Sequence, residues 1–230
     1  EVSLVAEEVC GCRDTALVED AVVILEDIEP DVVNIQYVSV LGNDAIQIQF
    51  NPYPNTREDF GSYHILRKNP SGPYESVAIV EDITQTTYID TFPDNRLLTQ
   101  SQCYKVQLIN NCGTAHDLVL AEEHCSINLQ AMAGMEEVRL RWTPYEAWPQ
   151  IRSYQLFRVD GYDPMQMELL GEFDGNTLTY IDTAMYCYDT YSYRILATGP
   201  APGLRSLSDT SFAAPHHFPP KEARNIQRVT

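Results

Sequence analysis

Positive charge is what this chain lacks. Its 230 residues carry 15 Lys and Arg against 33 Asp and Glu, a formal net charge of −18. Nucleic acid and anionic membrane surfaces both need clustered Lys and Arg to displace counterions, so neither is an expected partner. Long apolar runs are also scarce: Val22-Val23-Ile24-Leu25 is among the longest. A transmembrane helix needs about 20 such residues, so direct membrane insertion is not expected. The sequence holds no signal peptide, as expected of a mature or excised segment.

Catalytic and metal-binding patterns are missing in the same way. The histidines are His64, His116, His124, His216 and His217, with no G-x-S-x-G and no H-E-x-x-H around them. His64 aligns with Gln155 in an internal repeat, so imidazole is not required at that position. Acidic pairs such as Glu7-Glu8, Glu26-Asp27, Glu122-Glu123 and Glu136-Glu137 lack the D-x-D-x-D-G loop of a calcium site and read as solvated faces. His216-His217 sits in an extended, proline-rich exit and reads as solvated too. The expectation is no enzyme activity, no cofactor and no metal. Six cysteines with no C-x-x-C pair turn the reading away from zinc and thioredoxin-type chemistry, toward an oxidising, extracytoplasmic setting.

What the chain does have is a repeat. Ile46, Ile48 and Phe50 recur as Val138, Leu140 and Trp142; Ser62-Tyr63-His64-Ile65-Leu66-Arg67 recurs as Ser153-Tyr154-Gln155-Leu156-Phe157-Arg158. Thr87-Tyr88-Ile89-Asp90-Thr91 recurs letter for letter as Thr179-Tyr180-Ile181-Asp182-Thr183, and the three offsets are 92, 91 and 92 residues. A unit of that length, built of short strands, is a self-contained module rather than a solenoid turn.

Period-two alternation dominates and no helical stripe interrupts it. In the first copy, strands are expected at 33–40, 45–50, 63–68, 74–80, 87–90, 103–110 and 117–122. In the second they are expected at 126–132, 137–142, 154–159, 167–173, 179–182, 191–197 and 204–211. Seven short strands per copy imply tandem antiparallel β-sandwiches. Ile46, Ile48, Phe50, Tyr63, Tyr104 and Val106 are expected in one core, and Val138, Leu140, Trp142, Tyr154, Tyr193 and Ile195 in the other. The modules span 32–124 and 125–214. No Gly/Ser tether separates them at His124-Cys125, so a stiff rod is expected.

The repeat runs past both modules. Residues 1–31 read as the last hairpin of a preceding module, with 2–8 pairing 16–25 around Cys10-Gly11-Cys12. Residues 215–230 read as a linker and the first strand of a following module, because Asn225-Ile226-Gln227 repeats Asn34-Ile35-Gln36. A private N-terminal hairpin plus a loose tail is the alternative.

Hairpin register gives a disulfide. The strand from Cys103 turns back near residues 112–115, so cross-strand partners sum to about 227, and Cys103 with Cys125 meets that condition. Cys112 lies nine residues along the same strand, roughly 30 Å if extended, beyond disulfide reach. The second module has Ser192 and about Ser211 at the equivalent places, so both cysteines are absent together. Cys10, Cys12, Cys112 and Cys187 stay unassigned. Among the aromatics, Tyr145 and Trp148 lie in the loop after the second strand and are expected to pack over the sandwich end. Tyr162, Tyr186, Tyr188 and Tyr191 are the candidates for an exposed aromatic binding surface.

These features resemble the fibronectin type III fold: Trp142 or Phe50 ending the second strand, Tyr154 or Tyr63 opening the third, and Tyr-x-Val/Ile at Tyr104-Lys105-Val106 and Tyr193-Arg194-Ile195. The strings Trp-Thr-Pro-Tyr-Glu-Ala-Trp, Tyr-Ile-Asp-Thr and Cys-Tyr-Lys-Val followed by Asn-Cys-Gly resemble tandem modules of large Bacteroidota cell-surface proteins, described as gliding-motility-associated and exported by type IX secretion. The resemblance implies a non-catalytic spacer, adhesion or interaction segment of a secreted or cell-surface protein, with neighbouring modules and other surface or secretion proteins as partners. Accessory modules of a secreted enzyme, or a component or client of a secretion or motility assembly, are the alternatives. Export by that route rests on the resemblance alone.

Overall fold

The computed structural model describes residues 2–7, 13–18, 29–42, 44–68, 72–92, 100–160, 167–184, 186 and 189–216. All regular structure among them is β. Strand β1 (Val2–Glu7) pairs antiparallel with β2 (Arg13–Val18), with Val2 opposite Val18 and Glu7 opposite Arg13. The expected N-terminal hairpin is therefore present, but its second strand begins at Arg13 rather than at 16. The expected strand at 225–230 lies outside the described residues.

The first module packs two sheets. Strands β3 (Ile35–Leu41), β4 (Ala45–Phe50) and β7 (Thr87–Thr91) form one, in that order. The other runs β6 (Tyr74–Val80), β5 (Phe60–Lys68), β8 (Cys103–Asn110), β9 (His124–Cys125). The second module repeats this. Strands β10 (Leu129–Ala133), β11 (Val138–Trp142) and β14 (Thr179–Asp182) face a sheet of β13 (Met167–Phe173), β12 (Ser153–Asp160), β15 (Tyr191–Thr198) and a last strand split into β16 (Arg205–Leu207) and β17 (Ser211–Ala213). Three antiparallel strands against four is the fibronectin type III-like sandwich. The alternation in β4, β8 and β11 turns one side chain in two inward, and every paired residue expected in the two cores is buried.

The repeated letters are explained by repeated bonds. The Tyr63 hydroxyl accepts the Tyr53 amide at 2.9 Å, and the Tyr154 hydroxyl accepts the Tyr145 amide at 2.9 Å. Asp90 accepts from Arg67 and from the Tyr104 hydroxyl, both at 2.8 Å. Asp182 accepts from Arg158 at 2.9 Å and from the Tyr193 hydroxyl at 3.0 Å. The two carboxylates are buried, and each is matched by a cation and a hydroxyl, as a buried charge requires.

The last strand of the first module corrects the sequence reading. Residues 117–122 do not form a strand: the Asp117 carboxylate accepts the Val119 amide at 2.9 Å and the Asp117 carbonyl accepts Leu120 N–H at 3.0 Å. This aspartate-capped turn outweighs the apolar Leu118-Val119-Leu120 content and leaves Val119 and Leu120 exposed. After the turn, Ala115 bridges Ile109 of β8, and the returning chain pairs with β8 again at His124 and Cys125, Cys103 standing opposite Cys125. In the second module the opening strand starts at Leu129 rather than 126. Ser126 N–H bonds to the Gln102 carbonyl and Asn128 N–H to the Thr143 hydroxyl, so these residues do not join the β10 ladder.

Candidate functional site at the module junction

Without a full last strand, the first module leaves the edge of β3 open, and the second module closes it. The Val38 N–H donates to the Tyr145 hydroxyl at 2.9 Å. In the second module the equivalent amide, Ala131, is closed internally by the Ser211 hydroxyl of β17 at 2.9 Å. Ser206 Oγ donates to the Val38 carbonyl at 2.6 Å, Leu207 N–H donates to Ser39 Oγ at 3.0 Å, and Arg194 Nη2 reaches the Val40 carbonyl at 3.4 Å. Trp148 Nε1–H donates to the Gln36 carbonyl at 2.8 Å, and Tyr37 packs against the second core. The contact thus runs lengthwise along β3 from Gln36 to Val40. The short linker is thus supplemented by bonds that tie the second module to the edge of β3.

Tyr145 is the centre of this junction. Its own amide is held by Tyr154, its ring lies 4.0 Å from that of Trp148, and its hydroxyl meets His124 Nδ1 at 2.8 Å. Ala147, between the two aromatic residues, has φ of 79°, a left-handed backbone that swings Trp148 across the gap. Gly199 lets the β15–β16 turn close over that ring, since a Cβ there would meet Leu204 Cβ at 2.8 Å and Trp148 at 3.0 Å. Burial raises the Tyr145 hydroxyl pKa and lowers that of His124 to about 4, so both are neutral near pH 7.

A buried acid and a half-buried arginine flank the same seam. Asp209 accepts Leu129 N–H at 2.8 Å and Asn128 Nδ2 at 3.2 Å; burial pushes its carboxyl up to about 7, against those bonds and the pull of Arg194. Arg194, whose pKa burial lowers, also donates to the Ser208 carbonyl at 3.3 Å.

Of the aromatic candidates, Tyr186 is 77% exposed and donates its amide to the Tyr191 hydroxyl at 2.8 Å. Tyr191 is only 2% exposed, which removes it from the proposed surface. It shares the inward face of β15 with Tyr193 and Ile195, two and four residues on, and lies under the Arg158 guanidinium at 5.4 Å. Tyr162 and Tyr188 lie outside the described residues, as do Cys10, Cys12, Cys187 and His217. Cys103 and Cys125 are disulfide-bonded; Cys112 is free and exposed. Glu123 lies beside the bonded sulfurs, but oxidised sulfur is not a thiolate, so this trio is not a metal ligand set. His116 is buried, its Nδ1 accepting Leu108 N–H at 3.1 Å, and His216 is exposed. Sequence reasoning missed the roles of His124, Asp90 and Asp182. The identical Tyr-Ile-Asp-Thr strings carried the signal for the two aspartates; nothing local carried one for His124.

No family model matches the chain, and no curated protein matches it. Among solved structures, the central fibronectin-III array of RIM-binding protein is 9% identical over 84% of this chain and 71% of its own, with a TM-score of 0.35. The FN1–FN3 domains of chicken contactin are 13% identical over 82% and 68%, with a TM-score of 0.33. A pectate lyase from Erwinia chrysanthemi, solved with tetragalacturonic acid, is 15% identical over 38% of this chain at a TM-score of 0.35. This chain spans 28% of that lyase's length. The fold rests on the strand order and register above, not on these likenesses.

Proposed function

We propose that this chain is a non-catalytic structural and interaction segment of a larger secreted or cell-surface bacterial protein, in which two fibronectin type III-like modules act as one stiff unit. The observation that carries the reading is the row of bonds along β3, from Trp148 at Gln36 to Arg194 at Val40, which holds the modules in one relative orientation. Stiffness favours spacing and presentation over tethering. The disulfide supports an oxidising compartment, and the net charge of −18 supports a soluble, self-repelling surface. Service as accessory modules of a secreted enzyme is the second reading, and flanking sequence separates the two: further copies of the repeat favour the spacer, a catalytic signature favours the accessory. The test is protease treatment of intact cells that make the parent protein. Release of fragments bearing these modules is expected; full protection until lysis overturns the surface assignment.

A further inference from the structure

Between the modules lies an open cleft of about 560 Å³, bounded by the starts of β3 and β9, the Trp148 loop and the β15–β16 turn. That volume falls within the roughly 300–1,000 Å³ of small-ligand sites. Two buried polar atoms on its lining residues have no hydrogen-bond partner among the described residues: His124 Nε2 and Asn34 Oδ1. His124 itself is 1% exposed. Its Nδ1 is engaged by Tyr145, whose hydroxyl already accepts the Val38 amide. Assigning the hydroxyl proton to Nδ1 satisfies both groups and leaves the ring proton on Nε2 as an unused donor.

We infer that this cleft binds a neutral saccharide. The nearest charged oxygen to His124 Nε2 is Glu122 Oε2, at 4.0 Å, also on the cleft wall. That gap is too long for a direct hydrogen bond and fits one bridging oxygen that accepts from Nε2–H and donates to the carboxylate. A sugar hydroxyl does both, and a neighbouring hydroxyl can donate to Asn34 Oδ1. An ammonium cannot accept from Nε2–H. A carboxylate or phosphate cannot donate to Glu122, and among the described residues the lining holds no Lys or Arg to receive it. Trp148, Pro200 and Pro202 supply apolar wall for the C–H faces of a sugar ring. This inference goes beyond the spacer reading and does not depend on surface location.

The test is an NMR titration of the intact 230-residue chain with cellobiose, maltose, lactose and xylobiose, each to about 10 mM, above the millimolar range of weak binding. The indole N–H of Trp148 and the His124 ring are observed, with Trp142 as internal reference. Saturable shifts confined to Trp148 and His124 are expected for at least one neutral sugar, with digalacturonate weaker. Glu122→Ala, a change at an exposed rim carboxylate, should weaken binding about ten- to a hundredfold, the worth of one hydrogen bond to a charged group. Ala201→Trp should fill the cleft and abolish binding. Absence of a shift for every neutral sugar, unchanged affinity in both variants, or tighter binding of digalacturonate each overturns the inference.

Discussion

The Tyr145 hydroxyl of the second module accepts the backbone N–H of Val38 in the first, 107 positions away, at 2.9 Å. The equivalent tyrosine of the first module, Tyr53, instead donates to Asp59 at 2.7 Å. One repeated residue thus serves two purposes: in one copy it is tied within its own module, in the other it closes a strand edge of its neighbour. An open edge is a liability in a sheet protein, and here the neighbouring module covers it.

Tyr145→Phe keeps the ring and removes the bond. It leaves the Val38 amide and His124 Nδ1 without partners, at a cost of about 3 kcal/mol for two buried polar groups. Thermal unfolding of the variant is expected at a lower temperature, with the two modules' transitions drawn further apart than in the parent chain. Unshifted transitions in the variant would mean that the hydroxyl does not couple the modules.

Trp142→Ala empties the centre of the second core, where the indole packs on Tyr154 at 5.8 Å and Phe173 at 6.3 Å between ring centroids. A loss of about 3–5 kcal/mol is expected, read by denaturant titration. Signals from β4 and β5 should survive it, since the first core has its own cluster of side chains.

Alternation and repetition made most of the fold legible: Ile46, Ile48 and Phe50 alternate inward, and Trp142 marks the same place in the copy. Tyr191 was misread because it was grouped with the neighbouring tyrosines Tyr186 and Tyr188, although it opens the strand expected at 191–197 and its parity with Tyr193 places it inside. The turn at Asp117 was missed because an apolar triplet looks like strand, while one carboxylate decides the backbone. The junction was not legible at all. Val38, His124 and Tyr145 are far apart in sequence, and the copy at Tyr53 pairs differently, so neither periodicity nor repetition signals their meeting.

Asp90 and Asp182 offer a paired test. Each is buried under an arginine and a tyrosine hydroxyl, so Asp→Asn removes the buried counter-charge of Arg67 in one module and, in the other, leaves Arg158 with the exposed Glu168 at 2.7 Å. A loss of about 3–5 kcal/mol is expected. D90N should act on the first module and D182N on the second, as hydrogen-exchange protection of β8 against β15 would register. Equal loss of protection in both modules from either variant would contradict separate cores.

The disulfide joins cysteines 22 residues apart at the mouth of the β8–β9 hairpin. Replacing both by serine removes its constraint on the unfolded chain, worth about 3 kcal/mol in the loop-entropy description. Non-reducing peptide mapping should recover the Cys103–Cys125 pair with Cys112 alkylated. A Cys112–Cys125 peptide in its place would overturn the register of that hairpin.

Acid sensitivity is the remaining expectation, and His124 sets its sign. Burial lowers the folded-state value from 6.5 to about 4, so between those limits the unfolded chain binds a proton that the folded chain excludes. Stability contributed by the neutral ring is complete above pH 6.5 and falls as pH drops toward 4, by up to about 3 kcal/mol. Asp209 opposes this, because its carboxyl is raised to about 7 and holds its proton in the folded state over the same interval. The net slope of the parent chain is therefore shallow, and the informative quantity is the difference from His124→Gln. That variant cannot take up the proton, so relative to the parent it should be less stable near pH 7 and progressively less penalised toward pH 4. Chemical denaturation at both pH values measures it; a penalty independent of pH would show that His124 does not titrate between them.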